Sequence, residues 1–485
     1  MAEELIYDWN EVKRRGPVAR RGFQLHDETL RDGIQNPSVV DPGIGDKLEI
    51  LHLLDEVGVD TTDVGLPGAG ARAFEDVLTL CKEIAEQKLN IQPTCAGRTL
   101  VNDIAPMVEV SQKAGIPVEV MTFIGSSPIR QLAEDWSPNL IIERSIAAID
   151  FAVKEGLPVT FVTEDTTRSR PDLLTDLFRA AIDHGATRLC LCDTVGHVTP
   201  DGVRNLLEFT KNVVEGTGAD VKIDWHGHND RGLALVNSIF ALEHGADRVH
   251  GCILGIGERV GNAPLDLILI NLKLLGLIDT DLSKLSALAN KVSAATRFPI
   301  PINYPVVGDD AFRTATGVHA AAIIKAKSKG DDDLADRVYS GVPAAMFGRD
   351  QEICIGPMSG ASNVNYWLDQ RDITGDDALV AAILKVADEK GVTVCWNCNK
   401  QDFAGKGLAH NFNLVKDRLG DTLHLHDLKK DKEYPYAKLA KLLVQTNYGG
   451  WVMLEEGRVP KGFRPVEALT EQHRLWHDIV RRTLD

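Results

Sequence analysis

The chain has 485 residues, enough for one large domain and one or two smaller ones. Its hydrophobic content of 44% is typical of globular proteins, and its net charge of −17 argues against nucleic acid as a partner, because phosphate binding needs clustered Lys and Arg. No apolar run reaches the ~18 residues of a membrane span, and the N-terminus lacks a signal-peptide core. With only eight cysteines, the composition predicts a soluble cytoplasmic protein without disulfides or a membrane partner.

A repeating unit runs from residue 23 to about residue 275 and consists of a short apolar run, a polar loop and an amphipathic helical stretch. The eight runs begin near Phe23, Thr61, Ile91, Val118, Val159, Arg188, Val221 and Arg248. A spacing of roughly 25 to 40 residues matches one βα unit. Eight units predict an α/β protein with a (β/α)₈ TIM barrel; a doubly wound open sheet is the alternative. Between the first two runs, the apolar spacing predicts a helix over Ile44–Val57, stopped by Gly58.

The regular alternation stops beyond residue 280. The sequence predicts a helix over Ala311–Lys325, an exposed charged loop over Lys325–Arg337, and a last α/β segment with strands at Thr422–His426 and Trp451–Leu454. The predicted parts are an N-terminal arm (1–22), the TIM-barrel catalytic domain (23–280), post-barrel helical subdomains (281–393) and a small C-terminal α/β accessory region (394–485).

Polar side chains follow several of the predicted strands, and in TIM barrels the active site gathers at the C-terminal ends of the strands. His226 and His228 face the same side of one strand, because alternate residues of a strand point the same way. Together with Asp32 they form a ligand set suited to Zn²⁺, Mn²⁺ or Mg²⁺. Taken alone, Asp32 could be a capping or turn residue, and the two histidines could be ordinary strand-end residues.

The segment Gly255–Asn262 is glycine-rich, a pattern that is weak evidence for phosphate binding and equally typical of a tight βα turn. It carries Glu258, Arg259 and Asn262. The amide oxygen of Asn262 is a candidate fourth metal ligand.

Seven segments carry a resemblance to a known family: Asp27–Gln35, Thr122–Ile129, Glu164–Ser169, Asp193–Gly196, His226–Asp230, Gly255–Asn262 and Gly317–His319. In this order they resemble the metal-dependent acyl-CoA condensing barrels that include 2-isopropylmalate, homocitrate and citramalate synthases, with 3-hydroxy-3-methylglutaryl-CoA lyase as a more distant relative. The resemblance covers about residues 20 to 365.

The resemblance implies roles for these residues. Asp32, His226 and His228 would hold a divalent metal (Mg²⁺, Mn²⁺ or Zn²⁺), with Asn262 close by, and a 2-oxo acid would chelate that metal. The other residues concerned are Thr194, Gln35 and Arg168 for substrate binding, and Arg31, Glu164, His319 and Glu258 for catalysis.

The catalytic roles follow the chemistry of a condensation. Arg31 would stabilise the developing oxyanion, although it could instead form a salt bridge to a loop carboxylate. Removing a proton from acetyl-CoA needs a positioned base, for which Glu164 and His319 are the candidates. In relatives the histidine segment reaches the neighbouring subunit, which implies a homodimer. Glu258 would orient Arg31 or a loop, or act as a structural acid.

Three positions depart from the family pattern. Glu28 stands where a small hydroxyl residue is usual, and Met121 and Arg130 stand where many members show histidine. Since these positions lie close to strands one and four, the 2-oxo acid or the acyl donor could be unusual. The segment Gly65–Gly70 would line the side-chain pocket.

The C-terminal region resembles the last strands of sugar-phosphate isomerase or epimerase barrels, through Asp417–Asp427 and Tyr448–Glu456. In those barrels the residues corresponding to His424 and Glu455 would help bind a metal. About ninety residues are too few to close a barrel, which favours a non-catalytic accessory or dimerisation role over a second active site.

The resemblance implies an acyltransferase that condenses acetyl-CoA, its co-substrate, with a 2-oxo acid to give a 2-hydroxy di- or tricarboxylic acid and CoA. The first alternative is a carbon–carbon lyase or aldolase that uses the same metal site. The second is a metabolite-binding homologue that has lost catalysis.

Overall fold

The computed structural model describes residues 5–12, 19, 21–387, 394–398, 400–403, 405–416, 419–426, 428, 434–454 and 465–484. It divides into two compact units: Met1–Thr314 with Val318–Ile353, and Ala315–Gly317 with Cys354–Asp485. The four-part division inferred from the sequence stays a prediction. Within the described ranges, no helix is both long enough and apolar enough to span a membrane.

Eight parallel strands close into a barrel in the first unit, in which β1 pairs with both β2 and β8. The strands are β1 Gln24–Asp27, β2 Thr61–Asp63, β3 Gln92–Arg98, β4 Glu119–Gly125, β5 Val159–Glu164, β6 Arg188–Asp193, β7 Lys222–Gly227 and β8 Arg248–Gly251. Each begins within one residue of its predicted start. The closed ladder confirms the TIM barrel and excludes the open sheet.

Helices follow the strands and cover the outside of the barrel. They are α1 Ile44–Glu56, α2 Ala71–Gln87, α3 Val101–Ala114, α4 Pro128–Glu134, α5 Pro138–Lys154, α6 Pro171–Asp183, α7 Pro200–Glu215, α8 Ala234–Glu243, α9 Leu265–Leu274 and α10 Leu285–Thr296. Helix α1 was predicted over Ile44–Val57 and ends one residue earlier, at Glu56, with Val57 as its C-cap. Gly58 follows in a left-handed conformation at φ +78°, as expected of the residue that stops a helix.

The region after the barrel corrects two predictions. The helix expected over Ala311–Lys325 is α11 Gly317–Ser328, because Arg313–Thr314 forms a short strand (β9) paired with Glu352–Ile353 (β10). The expected loop over Lys325–Arg337 is largely helical, since α11 continues to Ser328 and α12 spans Asp332–Arg337. The Asp331 side chain caps α12 by accepting a hydrogen bond from the Leu334 N–H (2.9 Å).

Alternate residues along a barrel strand face opposite sides of the barrel wall, and on β7 this places an apolar residue on the outer side and a charged residue inside. Trp225 belongs to the fully buried hydrophobic core, while its neighbour Asp224 accepts a hydrogen bond from Arg248 Nε (2.8 Å). Arg248 also donates to Glu119 (3.0 Å). Because these three charged residues begin or nearly begin their strands, they fill the end of the barrel opposite to the strand C-termini.

The second unit contains a parallel three-stranded sheet in the order β11 Val394–Trp396, β12 Leu419–Leu425 and β13 Trp451–Leu454. Its helices are α13 Ala361–Asp369, α14 Asp377–Ala387, α15 Leu408–Val415, α16 Tyr436–Gln445 and α17 Pro465–Leu484. A separate core of buried aromatic and leucine residues holds this sheet against α15, α16 and α17, and α13 and α14 pack in a small cluster of their own. The α/β character of this region is confirmed, and its accessory role stays a prediction. His424 lies on β12, and Glu455 lies outside the described residues.

Candidate active site

The three predicted metal ligands meet at the C-terminal rim of the barrel. Nε2 of His226 and Nε2 of His228 lie 4.0 Å and 3.7 Å from Oδ2 of Asp32, and all three side chains are buried. Asp32 occupies the N-cap position of a short 3₁₀ turn, Gly33–Gln35, but makes no capping hydrogen bond. The capping alternative therefore does not account for Asp32. One carboxylate and two imidazoles facing one point suit a divalent cation.

Asn262 lies against the same carboxylate. Its Nδ2 donates to Asp32 Oδ2 (2.7 Å), and its buried Oδ1 has no hydrogen-bond partner among the described residues. The glycine-rich segment before it is a tight turn: Gly261 has φ +91°, and a Cβ there would lie 1.8 Å from the carbonyl oxygen of Gly255. The turn reading is thus correct, and the turn also delivers an amide to the three-residue cluster. Its role as a ligand stays a prediction.

Glu28 is a buried acid beneath this cluster, and the sequence reasoning gave it no role there. Its Oε1 lies 3.1 Å from Nδ1 of His226 and 2.8 Å from Nδ1 of His250. Burial raises the pKa of Glu28, but the Arg31 guanidinium, His226 and the hydrogen bonds from His226 and His250 together outweigh burial and hold that pKa well below its usual range. Burial likewise lowers the pKa of His226, but the nearby acids, chiefly ionised Glu28, together outweigh burial and raise that pKa to about 10. An ionised Glu28 can only accept, so Nδ1 of His226 donates and a neutral ring keeps its lone pair on Nε2.

Arg31 is held by three carboxylates. It donates to Glu28, to Asp32 (3.0 Å) and to Asp63 (2.7 Å). Glu258 is not among these partners, so the prediction that it orients Arg31 finds no contact in the structure. The salt-bridge alternative for Arg31 is present, and its oxyanion role stays a prediction.

Most of the predicted metal, catalytic and substrate residues line one cavity of about 240 Å³. The residues concerned are Arg31, Asp32, Gln35, Glu164, Thr194, His226, His228 and Glu258. Burial raises the pKa of Glu164 above its usual value, which brings it closer to the range useful for a general base. Leu66, from the predicted pocket segment Gly65–Gly70, also contributes to the wall.

Two predicted residues lie elsewhere. Nε and Nη2 of Arg168 donate to the two carboxylate oxygens of Asp165 (2.7 and 2.8 Å), and Arg168 is not part of the cavity lining. His319 is exposed on α11, where its ring stacks on Tyr339 at 4.1 Å between centroids. Their roles in substrate binding and catalysis stay predictions.

Asp63 and His250 were not singled out from the sequence, although a signal for both exists. His250 is two residues from the inward-facing Arg248, so strand alternation places it inside the barrel. Asp63 is the last residue of β2, at the rim where active sites gather. What the sequence does not reveal is which of these polar residues pair, because their partners are separated by 32 to 222 positions in the chain.

The HMGL-like family model matches residues 22–292, more than half of the chain and the whole barrel. The chain belongs to the HMGL-like family. Among similar relatives of this HMGL-like chain is homocitrate synthase AksA of Methanopyrus kandleri, 33% identical over 74% of this chain and 86% of the relative. The (R)-citramalate synthase CimA of Methanocaldococcus jannaschii is 32% identical, and 2-isopropylmalate synthase of Shouchella clausii is 30% identical. Each of these two matches covers 76% of this chain and 71% of the relative. A solved Bacillus subtilis HMG-CoA lyase is similar at a TM-score of 0.49 and 20% identity, covering 59% of this chain and 97% of that one.

Proposed function

We propose that this HMGL-like protein is a metal-dependent acyltransferase that condenses acetyl-CoA with a 2-oxo acid, giving a 2-hydroxy di- or tricarboxylic acid and CoA. The observation that carries the proposal is the convergence of Asp32, His226 and His228 on one point of a cavity that Arg31 and Glu164 also line. Three relatives named as synthases of this kind support it.

The residues fit a divalent metal. Asp32, His226 and His228 would hold the metal. The amide oxygen of Asn262, which has no hydrogen-bond partner among the described residues, is available as a further metal ligand. Glu28 fixes His226 from behind, as the carboxylate partners of metal-bound histidines do. When bound, Mg²⁺, Mn²⁺ or Zn²⁺ would supply Lewis acidity toward the keto group of the 2-oxo acid.

Side chains of the protein carry out proton abstraction, oxyanion stabilisation and substrate binding. The Glu164 carboxylate takes a proton from the acetyl methyl group, and its pKa, raised by burial, makes it a stronger base than an exposed glutamate. The resulting carbon nucleophile adds to the keto carbon, while Arg31 donates to the oxygen that gains charge. Thr194, whose hydroxyl already accepts from the Asp165 N–H (2.8 Å), lines the cavity with its hydroxyl proton free for the substrate carboxylate. Glu164 then returns its proton, so that the former keto oxygen becomes the 2-hydroxyl group, and a water molecule hydrolyses the thioester to a carboxylate and CoA thiol.

One part of the proposal concerns assembly of the protein into a homodimer. His319 is exposed on α11, which suits the predicted homodimer in which it reaches a neighbouring active site as the alternative to Glu164 as the base. The alternatives, a lyase or a non-catalytic homologue, predict different outcomes in the assay below.

The test measures release of CoA thiol from acetyl-CoA with Mg²⁺ or Mn²⁺ across a panel of 2-oxo acids. The proposal expects release that needs both the metal and one panel member, and that Asp32→Asn abolishes. Asp201→Asn, which removes an exposed acid on α7, is the matched control and should retain full activity. Metal binding without thiol release from any pair would contradict the synthase, and cleavage of a 3-hydroxyacyl-CoA would favour the lyase.

A further inference from the structure

The wall of the cavity has two chemically different halves. Strands β7 and β8 and the residues that directly follow β1 and β7 supply Asp32, His226, His228 and their buried partners, and the loop after β1 also supplies Arg31. Apart from Glu164 at the end of β5, the loop after β2 and strands β3 to β6 supply apolar side chains and thiols instead. This apolar wall consists of Leu66, Ala96, Met121, Phe123, Val162 and Cys190.

Among the described residues, no cation that lines the cavity is free to pair with a second substrate carboxylate. Of the described residues that line the cavity, Arg31 and Arg259 are the only Lys or Arg. Arg31 already binds three carboxylates at the reacting end. Arg259 donates to both oxygens of Asp230 (2.8 and 3.0 Å) and to the carbonyl oxygen of Thr194 (2.7 Å).

The charge of the wall also disfavours a second carboxylate. Four acids, Glu28, Asp32, Glu164 and Glu258, line the cavity against the two arginines. Glu164 is the last residue of β5, two positions after the apolar Val162 on the same face of the strand. A carboxylate on the apolar wall would lose its hydration, gain no partner, and lie near Glu164.

We infer that the 2-oxo acid is a monocarboxylic acid with an aliphatic side chain of three or more carbons, and this inference rests on the proposed function. The shared carboxylate and keto oxygens of any 2-oxo acid belong to the polar half of the cavity. The side chain then meets the apolar wall, where an isopropyl group makes contacts that the methyl of pyruvate leaves unmade. 2-Oxoglutarate and oxaloacetate place a carboxylate there.

The experiment measures binding of 2-oxo acids to the full-length Mn²⁺-loaded protein by calorimetry, without acyl-CoA. We expect 3-methyl-2-oxobutanoate to bind about 100-fold more tightly than 2-oxoglutarate and about 10-fold more tightly than pyruvate. Equal or tighter binding of 2-oxoglutarate overturns the inference, and so does the absence of binding by all three acids.

Variants of the wall give a second readout. Val162→Lys places a cation among the apolar side chains and should shift the preference toward 2-oxoglutarate by about 10-fold or more. Leu66→Lys serves the same purpose if Val162→Lys does not fold. Val236→Lys, at a half-exposed valine of α8, is the matched control and should leave the preference unchanged. A preference unaffected by a folded Val162→Lys or Leu66→Lys protein contradicts the assignment of this wall to the side chain.

Failure of the inference and failure of the proposed function give different results. Thiol release with 2-oxoglutarate, together with tight binding of that acid, would refute the aliphatic side chain and leave the synthase standing. Selective binding of 3-methyl-2-oxobutanoate without thiol release from acetyl-CoA would support the side-chain inference and refute the synthase.

Discussion

Replacement of Glu28 by Gln tests whether this buried acid prepares the metal cluster. Glu28 is 1% exposed and meets three groups: the Nδ1 atoms of His226 and His250, and the Arg31 guanidinium. The amide keeps the shape and one acceptor oxygen but loses the charge that makes the bond to His226 strong. Loss of a carboxylate that holds a metal-binding histidine weakens metal affinity by about 10- to 100-fold, or about 1.4 to 2.7 kcal/mol of binding free energy. We expect Glu28→Gln to weaken Mn²⁺ binding by this amount.

The assay is titration of the metal-free protein with Mn²⁺, followed by electron paramagnetic resonance of the free ion. Glu119→Gln is the matched control, because Glu119 is also a largely buried acid inside the barrel and pairs with an arginine, Arg248, at the opposite end. We expect Glu119→Gln to lower stability and leave Mn²⁺ affinity unchanged. If Glu28→Gln binds Mn²⁺ within twofold of the unsubstituted protein, the positioning argument fails.

Three further predictions concern stability, the glycine turn and assembly. Burial raises the pKa of the Asp266 carboxyl from 3.8 to about 6, so the folded protein binds the carboxyl proton more tightly than the unfolded chain does. The protonated carboxyl therefore contributes stability below pH 3.8, and this contribution is lost as the pH rises to about 6. In urea titrations, Asp266→Asn should therefore gain about 2 kcal/mol over the unsubstituted protein between pH 4 and pH 7, and a pH-independent difference would refute this. Gly261→Ala should lower the free energy of unfolding by about 2 kcal/mol or more and weaken Mn²⁺ binding, whereas an unchanged denaturation midpoint would contradict the close approach to Gly255. Mixing inactive Arg31→Ala and His319→Ala subunits should restore about a quarter of full activity if His319 acts across a dimer interface. About half of the dimers are then mixed, and each mixed dimer has one intact site of two. No recovery of activity would contradict a role for His319 in the neighbouring subunit.

The barrel could be predicted from the sequence because its strands are buried on both faces. Such strands read as short apolar runs, and the run beginning near Arg188 corresponds to β6, Arg188–Asp193. The region after the barrel was harder. Lys325–Arg337 has the composition of an exposed loop, but Lys, Ala and Leu are also good helix formers, and the Asp331 cap and burial of Ala326 and Ala335 favour helix.

The candidate site could be predicted in part for a similar reason. The position of Asp32, His226 and His228 at strand ends follows from the barrel, because the C-termini of all eight strands meet at one rim. Glu28 was noted only as an unusual residue, since its partners His226 and His250 are on the other side of the closing seam between β1 and β8. Contacts of that kind depend on the closed ladder and on side-chain direction, which periodicity along one strand does not specify.

The central claim is that the Asp32, His226 and His228 cluster supports carbon–carbon bond formation. The most direct measurement is ¹³C NMR of the products from acetyl-CoA labelled at the methyl carbon, incubated with Mg²⁺ and 3-methyl-2-oxobutanoate. The account expects a labelled methylene bonded to a new tertiary alcohol carbon, formed by the unsubstituted protein and absent with Asp32→Asn. Labelled acetate as the sole product, or the same methylene formed by Asp32→Asn, would contradict it.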